Sequence, residues 1–191
     1  MRVPTELTVS GLIDALAGAP VAPAGATAAG VTLCMGIGLF QKALRHPVAA
    51  ASPPQVAGDL ELLEALRRRA ERQAEAAARA EEGLASAGGD AARLAVYRAS
   101  RTLLELSLLA LGQIRSVLDR GTTDLLPDLE LAWRLVAAAM EGAFTLCEGH
   151  LGQLPAAWAS GEAEGLASQA RYGRELQARA MSELAWRLRR C

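Results

Sequence analysis

Apolar residues recur every three or four positions along most of the chain, and this period predicts amphipathic helices rather than strands. The predicted helices cover about residues 9–17, 24–44, 56–87, 90–120, 129–147 and 162–190. Glycine or proline lies between successive helices, notably at Gly18, Pro47 and the pair Gly88–Gly89. Long helices with short connections usually lie antiparallel. The pattern therefore predicts an all-α antiparallel bundle of about five long helices plus a short N-terminal helix, in a single domain over residues 1–191.

The segment from about Ala24 to Leu44 differs from the other helices because it carries no charge before Lys42 and is rich in Gly, Ala and Thr. Its length approaches the ~20 residues that span a bilayer. Pro20 and Pro23 interrupt the uncharged stretch, and no basic segment precedes it as in a signal peptide, so we predict a core helix and no membrane partner. One bundle covers an apolar helix poorly, and we expect a two-fold homodimer to bury part of it.

Composition and charge narrow the function classes. Hydrophobic residues make up 51% of the chain and aromatic residues only 4%, which suits a helical protein. The formal net charge is −1, so the protein has no positive field that would attract nucleic acid. Three cysteines without a CxxC pair favour free thiols in the reducing cytoplasm. Two histidines without zinc spacing predict no metal site, and we interpret His150 as a partner of a helix dipole.

The loop over residues 20–27 opens directly onto the uncharged helix. Backbone N–H groups at a helix start point outward and favour negative charge, so Gly25 and Thr27 are candidate contacts to an anionic ligand. An ordinary helix start explains the same residues.

Carboxylates supply the other candidate groups. The segment over residues 121–128 brings Asp124 and Asp128 to one end of the bundle, where capping of the next helix is the alternative explanation. Glu71 and Glu75 share a face of the third helix, so that either can act as a general acid or base if that face is buried. Their arginine neighbours favour an exposed face instead.

The order of these segments resembles the cyclodeaminase/cyclohydrolase family, which comprises the C-terminal domain of formiminotransferase-cyclodeaminase and the methenyltetrahydrofolate cyclohydrolases. Val21-Ala-Pro-Ala-Gly-Ala-Thr27 corresponds to the family's Pro-x-Pro-Gly-Gly-Gly-Ser loop before an Ala/Gly-rich helix. Gly121-Thr-Thr-Asp-Leu-Leu-Pro-Asp128 takes the place of its Gly-Asn-Pro-Asn-x-x-Ser-Asp segment, and Glu141-Gly-Ala-Phe144 resembles its Gly-Ala pair. The resemblance covers nearly the whole chain. Two alanines replace glycines of the first loop, and the family's later Asn-x-Arg-x-Asn motif is absent.

The resemblance implies a homodimer that binds a tetrahydrofolate derivative near the first loop, with no further cofactor, and that closes or opens the methenyl ring. The corresponding expectation is that Glu75 and Asp128 are catalytic, with Glu75 the proton carrier, and that Gly25, Thr27 and Asp124 contact the ligand. The altered motifs leave open a non-catalytic dimeric scaffold or partner-binding protein derived from the family. An unrelated helical bundle without a ligand is the third alternative.

Overall fold

A computed structural model describes residues 25–45, 53–119 and 126–188, together with Gly11, Asp14 and Ala17. Five helices make up these ranges: α1 Gly25–Leu44, α2 Pro53–Ala87, α3 Gly89–Asp119, α4 Leu126–Leu151 and α5 Ala156–Leu188. The described residues contain no strand, and the predicted all-α bundle is confirmed. The predicted helix over residues 9–17 lies outside the described residues except for Gly11, Asp14 and Ala17, which are helical.

Three helices begin earlier than the apolar pattern predicts, one of them α4, which begins at Leu126 rather than near Leu129. Helix α2 begins at Pro53 rather than near Val56, because proline has no N–H to lose in a first turn and its fixed φ suits a helix. Helix α5 begins at Ala156 rather than near Glu162. At the other end of α2, Gly88 and Gly89 adopt φ values of 64° and 84°, which glycine tolerates without strain. This pair ends α2 and reverses the chain directly into α3, as the sequence predicts.

Helix α1 lies at the centre, packed mainly on α2 and α4. Its two closest approaches occur at glycines. A methyl group on Gly30 would lie 2.7 Å from the Cβ atom of Ala74, and one on Gly36 would lie 2.6 Å from Cγ2 of Val136. These distances leave no room for a side chain. The small residues of α1 are therefore explained by the close approach of its two neighbours.

Helix α1 is not covered on all sides within one chain. Met35, on its outer face, is 57% exposed, and the side-chain position of Gly38 faces open space. By length and composition α1 is the one described helix that could cross a membrane, yet 56% of its most apolar window is buried inside the bundle. Within one chain the faces toward α2 and α4 are buried and the outer face is not, so its burial depends on the expected second subunit, which stays a prediction.

Helices α1 and α2 are antiparallel. The start of α1 lies against Glu81 near the end of α2, and Gln41 near the end of α1 donates from Nε2 to the Glu64 carboxylate at 3.0 Å. Helix α5 is less extensively packed, contacting α4 and, to a smaller extent, α3. It also carries three large exposed side chains: Trp158, Tyr172 and Trp186.

Candidate functional site

Buried polar groups converge at the N-terminal end of α1. The side chain of Glu81, from α2, is only 7% exposed. One carboxylate oxygen accepts a hydrogen bond from the backbone N–H of Ala26 at 2.9 Å, and the other accepts one from Oγ1 of Thr27, also at 2.9 Å. The first N–H groups of a helix lack intrahelical acceptors, and the helix dipole favours negative charge there. The start of α1 therefore holds an anion, and the protein's own Glu81 supplies it.

His150, in the last turn of α4, is the second titratable group at this end of the bundle. Burial lowers the pKa of His150 below its ordinary value of 6.5, and the nearby negative charge of Glu81 acts in the opposite direction. Its Nδ1 atom is buried and has no hydrogen-bond partner among the described residues. The imidazole is therefore neutral at about pH 7, so that one of its ring nitrogens carries a proton and the other does not. Burial, rather than the helix dipole, dominates its pKa.

Together these groups provide proton-transfer chemistry. A buried carboxylate and a neutral imidazole near one another are the usual components of general acid–base catalysis. They do not make a metal centre, since the described residues include no group of three His, Cys, Asp or Glu side chains able to hold a metal ion.

The structure places the predicted ligand residues of α1 within this cluster but turns their polar groups inward. Gly25 is the first residue of α1, and its side-chain position faces Leu146 at 3.0 Å. Thr27 is fully buried, and its hydroxyl donates to Glu81. The remainder of the predicted loop, residues 20–24, lies outside the described residues.

The predicted carboxylates are not all brought to the same place. Glu75 is half-buried on α2, six residues before Glu81, or about 9 Å along the helix. Asp128 forms an ion pair with Lys42 at 3.3 Å. Fifteen residues of α1 separate Lys42 from Thr27, which is about 22 Å, so Asp128 lies at the opposite end of the bundle from Thr27. Asp124 is outside the described residues.

Sequence reasoning missed Glu81, although α2 contains a signal for it. Ala70, Ala74 and Ala77 form a buried stripe at helical spacing, and the next position on that stripe is 81. If a carboxylate occupies the position where the apolar stripe should continue, either the helix is rotated so that the carboxylate is exposed, or the carboxylate is buried and accepts hydrogen bonds. The structure shows the second case.

A further polar network, in the C-terminal half of α1, has a structural explanation. Glu64 accepts hydrogen bonds from Arg67, Gln41 and Arg68. These bonds, led by that from Arg67, lower the pKa of Glu64 to about 2. The Gln41 bond ties α1 to α2, while the two arginines are neighbours on the same helix. The network fixes the register of the two helices and leaves the cluster at Glu81 as the stronger candidate site.

Comparison with known proteins gives one informative result. No protein-family model and no curated protein sequence matches the chain. Among solved structures, the chain is similar to a formiminotetrahydrofolate cyclodeaminase from Thermotoga maritima, with a TM-score of 0.86, 15% sequence identity and coverage of 95% of this chain and 97% of that one. The chain therefore has the fold of that cyclodeaminase over nearly its full length. The identity is too low for the likeness to carry more than the fold.

Proposed function

We propose that this protein is a divergent relative of the folate cyclodeaminases and cyclohydrolases and binds a reduced folate at the end of the bundle formed by Thr27, Glu81 and His150. The observation that carries the proposal is the buried Glu81 carboxylate beside a neutral histidine at the start of α1. The shared fold supports the ligand class. Glu81, rather than Glu75, is the carboxylate of the proposed site.

The position of Glu81 determines which end of a folate fits. Each carboxylate oxygen accepts one hydrogen bond from α1, and a carboxylate oxygen in general has two lone pairs. The pterin edge carries a ring N–H and an amino group side by side, and a carboxylate accepts such paired donors with favourable geometry. The negatively charged glutamate tail is repelled from the same place. The proposal therefore places the pterin, rather than the tail, near the start of α1.

One-carbon chemistry would make a further demand on this site. When the methenyl ring closes with loss of ammonia, a folate nitrogen must lose a proton and the departing nitrogen must gain one. A single group that accepts a proton and returns it can serve both steps. Glu81 and His150 are the candidates, and we propose His150 as the carrier because its Nδ1 atom has no partner among the described residues. Binding and turnover are separate parts of the proposal.

We propose in addition that the protein is a homodimer formed through the outer face of α1. Ala28, Val31, Met35 and Gly38 lie along this uncharged face, and small residues allow two helices to approach closely. Replacing Gly38 with Arg places a charge in the proposed interface, and the new Cβ atom would have no neighbour within 4 Å among the described residues outside the helix's own backbone. The variant should be a folded monomer by light scattering, whereas Gly112→Arg, at an equally open position on α3, should remain dimeric. An unchanged mass for Gly38→Arg would contradict this interface.

A non-catalytic scaffold is the second candidate, and one observation favours it. Glu81 already satisfies the Ala26 N–H and the Thr27 hydroxyl, the groups that would otherwise contact a ligand at the helix start. In that case the cluster serves folding alone. The protein would then dimerise and bind no folate.

Calorimetric titration with 5-formyltetrahydrofolate separates the two candidates. The folate proposal predicts saturable binding, a raised melting temperature at saturation, and a loss of affinity of at least about tenfold in Glu81→Gln and His150→Gln. Asp128→Asn is the matched control, because it removes a carboxylate at the other end of the bundle, and it should bind like wild type. Absence of binding to the wild-type protein would refute the folate proposal and support the scaffold. Hydrolysis of methenyltetrahydrofolate, followed by loss of its chromophore, then tests turnover.

A further inference from the structure

A crevice between α4 and α5 is separate from the cluster at Glu81. Its volume is about 660 Å³, within the range of small-molecule sites, and Phe144, Leu151 and Leu166 contribute to its apolar walls. A smaller cavity of about 330 Å³ extends it along α4 and shares Phe144 with it. Glu148 lines both, and His150 lies two residues further on α4, or about 200° around the helix. The crevice therefore lies on the other side of α4 from the cluster.

The polar lining of the crevice is mainly cationic. Arg171 and Arg174, one helical turn apart on α5, both line it, Glu148 is the one carboxylate among its described lining residues, and Glu141 lines the smaller cavity. Neither arginine forms an ion pair with a residue that the structure describes. The guanidinium of Arg174 lies over the ring of Phe144, 5.6 Å from its centroid. The arginines that pair with a carboxylate among the described residues, such as Arg67 and Arg134, do so within their own helix. Arg171 and Arg174 differ from them in that they line a crevice beside the half-buried ring of Phe144.

We infer that this crevice binds a small aromatic carboxylate. The flat apolar body of such a ligand packs against Phe144 and Leu166, and its carboxylate accepts hydrogen bonds from Arg171 and Arg174, whose planar guanidinium groups suit that geometry. A cationic ligand would face two like charges. A neutral aromatic ligand would gain the apolar contacts only. The site is independent of the proposed folate site and of the activity proposed there.

Naphthalene-1-carboxylate and naphthalene-1-methanol are a suitable pair of probes, since they share an apolar body and differ in charge. Affinity is measured by titration calorimetry on wild-type protein, on the double variant Arg171→Gln/Arg174→Gln and on Arg179→Gln. Both arginines of the double variant are exposed, so the fold should be retained. Arg179 is exposed on the same helix and lies outside the crevice, which makes it the matched control for general charge effects.

The inference predicts that the carboxylate binds wild type and Arg179→Gln equally and binds the double variant at least about tenfold more weakly. The alcohol should bind wild type at least about tenfold more weakly than the carboxylate and should be insensitive to the double substitution. Glu148→Gln should tighten carboxylate binding, because it removes a negative charge from the lining of both cavities. Equal affinity of acid and alcohol for wild type, an unchanged double variant, or no saturable binding below about 1 mM would each overturn the inference.

Discussion

Substitution of Glu81 is the sharpest probe of the cluster at the start of α1. Glu81→Gln keeps the size of the side chain and removes its charge. The amide oxygen can still accept a hydrogen bond from the Ala26 N–H, and the NH2 group can donate to Thr27 Oγ1, whose own proton must then turn to another acceptor. The substitution therefore replaces two hydrogen bonds to a charged group by two neutral ones and reverses the direction of the bond to Thr27.

The size of the effect follows from those two bonds. A hydrogen bond to a charged group contributes about 1.5–3 kcal/mol to stability, and a helix N-terminus adds about 0.3–1 kcal/mol for a negative charge. The cost of burying the carboxylate offsets part of this gain. We expect Glu81→Gln to lower the free energy of unfolding by about 2 kcal/mol. Thr27→Val removes the hydroxyl that contacts residue 81, and it should lower the free energy of unfolding by less in the Glu81→Gln variant than in wild type.

The assay is urea unfolding at about pH 7, followed by helical circular dichroism at equal protein concentrations. Glu82→Gln is the matched control, because Glu82 is the next residue on α2 and is exposed, and it should change the stability by no more than about 0.5 kcal/mol. If Glu81→Gln were as stable as Glu82→Gln, the hydrogen bonds at the helix start would not hold α1 to α2, and the reasoning would be refuted.

Three further predictions concern packing, pH and thiol chemistry. Gly36→Ala should destabilise the protein by about 1–3 kcal/mol in thermal or urea unfolding, because the new methyl group would lie 2.6 Å from a facing side chain. Gly112→Ala is the control, and because the space around Gly112 is open, it should stabilise the protein by about 0.5–1 kcal/mol. Burial lowers the pKa of His150, so as the pH falls the unfolded chain takes up a proton at this residue before the folded protein does. The free energy of unfolding should therefore be level above pH 6.5 and fall below it. His150→Gln should reduce that fall, as unfolding curves at a series of pH values can determine. Burial raises the pKa of Cys34 and of Cys147 to about 12, so neither should react with iodoacetamide at about pH 8 until the protein is unfolded, as peptide mass spectrometry can determine.

The fold could be predicted from local patterns because helix periodicity and the glycine and proline boundaries depend only on residues that are close in the sequence. The pair Gly88–Gly89 is an example, since a helix stop needs only the local backbone. The outer face of α1 was harder to predict, because its exposure depends on which helices pack around it, and a uniformly apolar segment has no periodic signal to indicate the uncovered side. The antiparallel register of α1 and α2 is likewise a tertiary property.

The candidate site was predicted only in part. The start of α1 stood out because a glycine-containing loop before a helix is a local feature, and Thr27 does lie in the cluster. Its partner Glu81 is 54 residues away, and no local pattern connects the two. Asp128 resembles a site residue by motif position, yet the length of α1 separates it from Thr27. Whether a loop residue faces a ligand or the protein's own carboxylate depends on packing that the sequence pattern does not contain.

Amide chemical shifts measured by NMR during titration with 5-formyltetrahydrofolate test the central claim most directly, because they report both binding and its location. A site at the start of α1 predicts saturable shifts centred on the amides of Ala26, Thr27 and His150, with the amides of Lys42 and Asp128 unaffected. Shifts centred on Lys42 and Asp128 or on Arg174, or no shifts at saturating ligand, would contradict the claim that the cluster around Glu81 binds a folate.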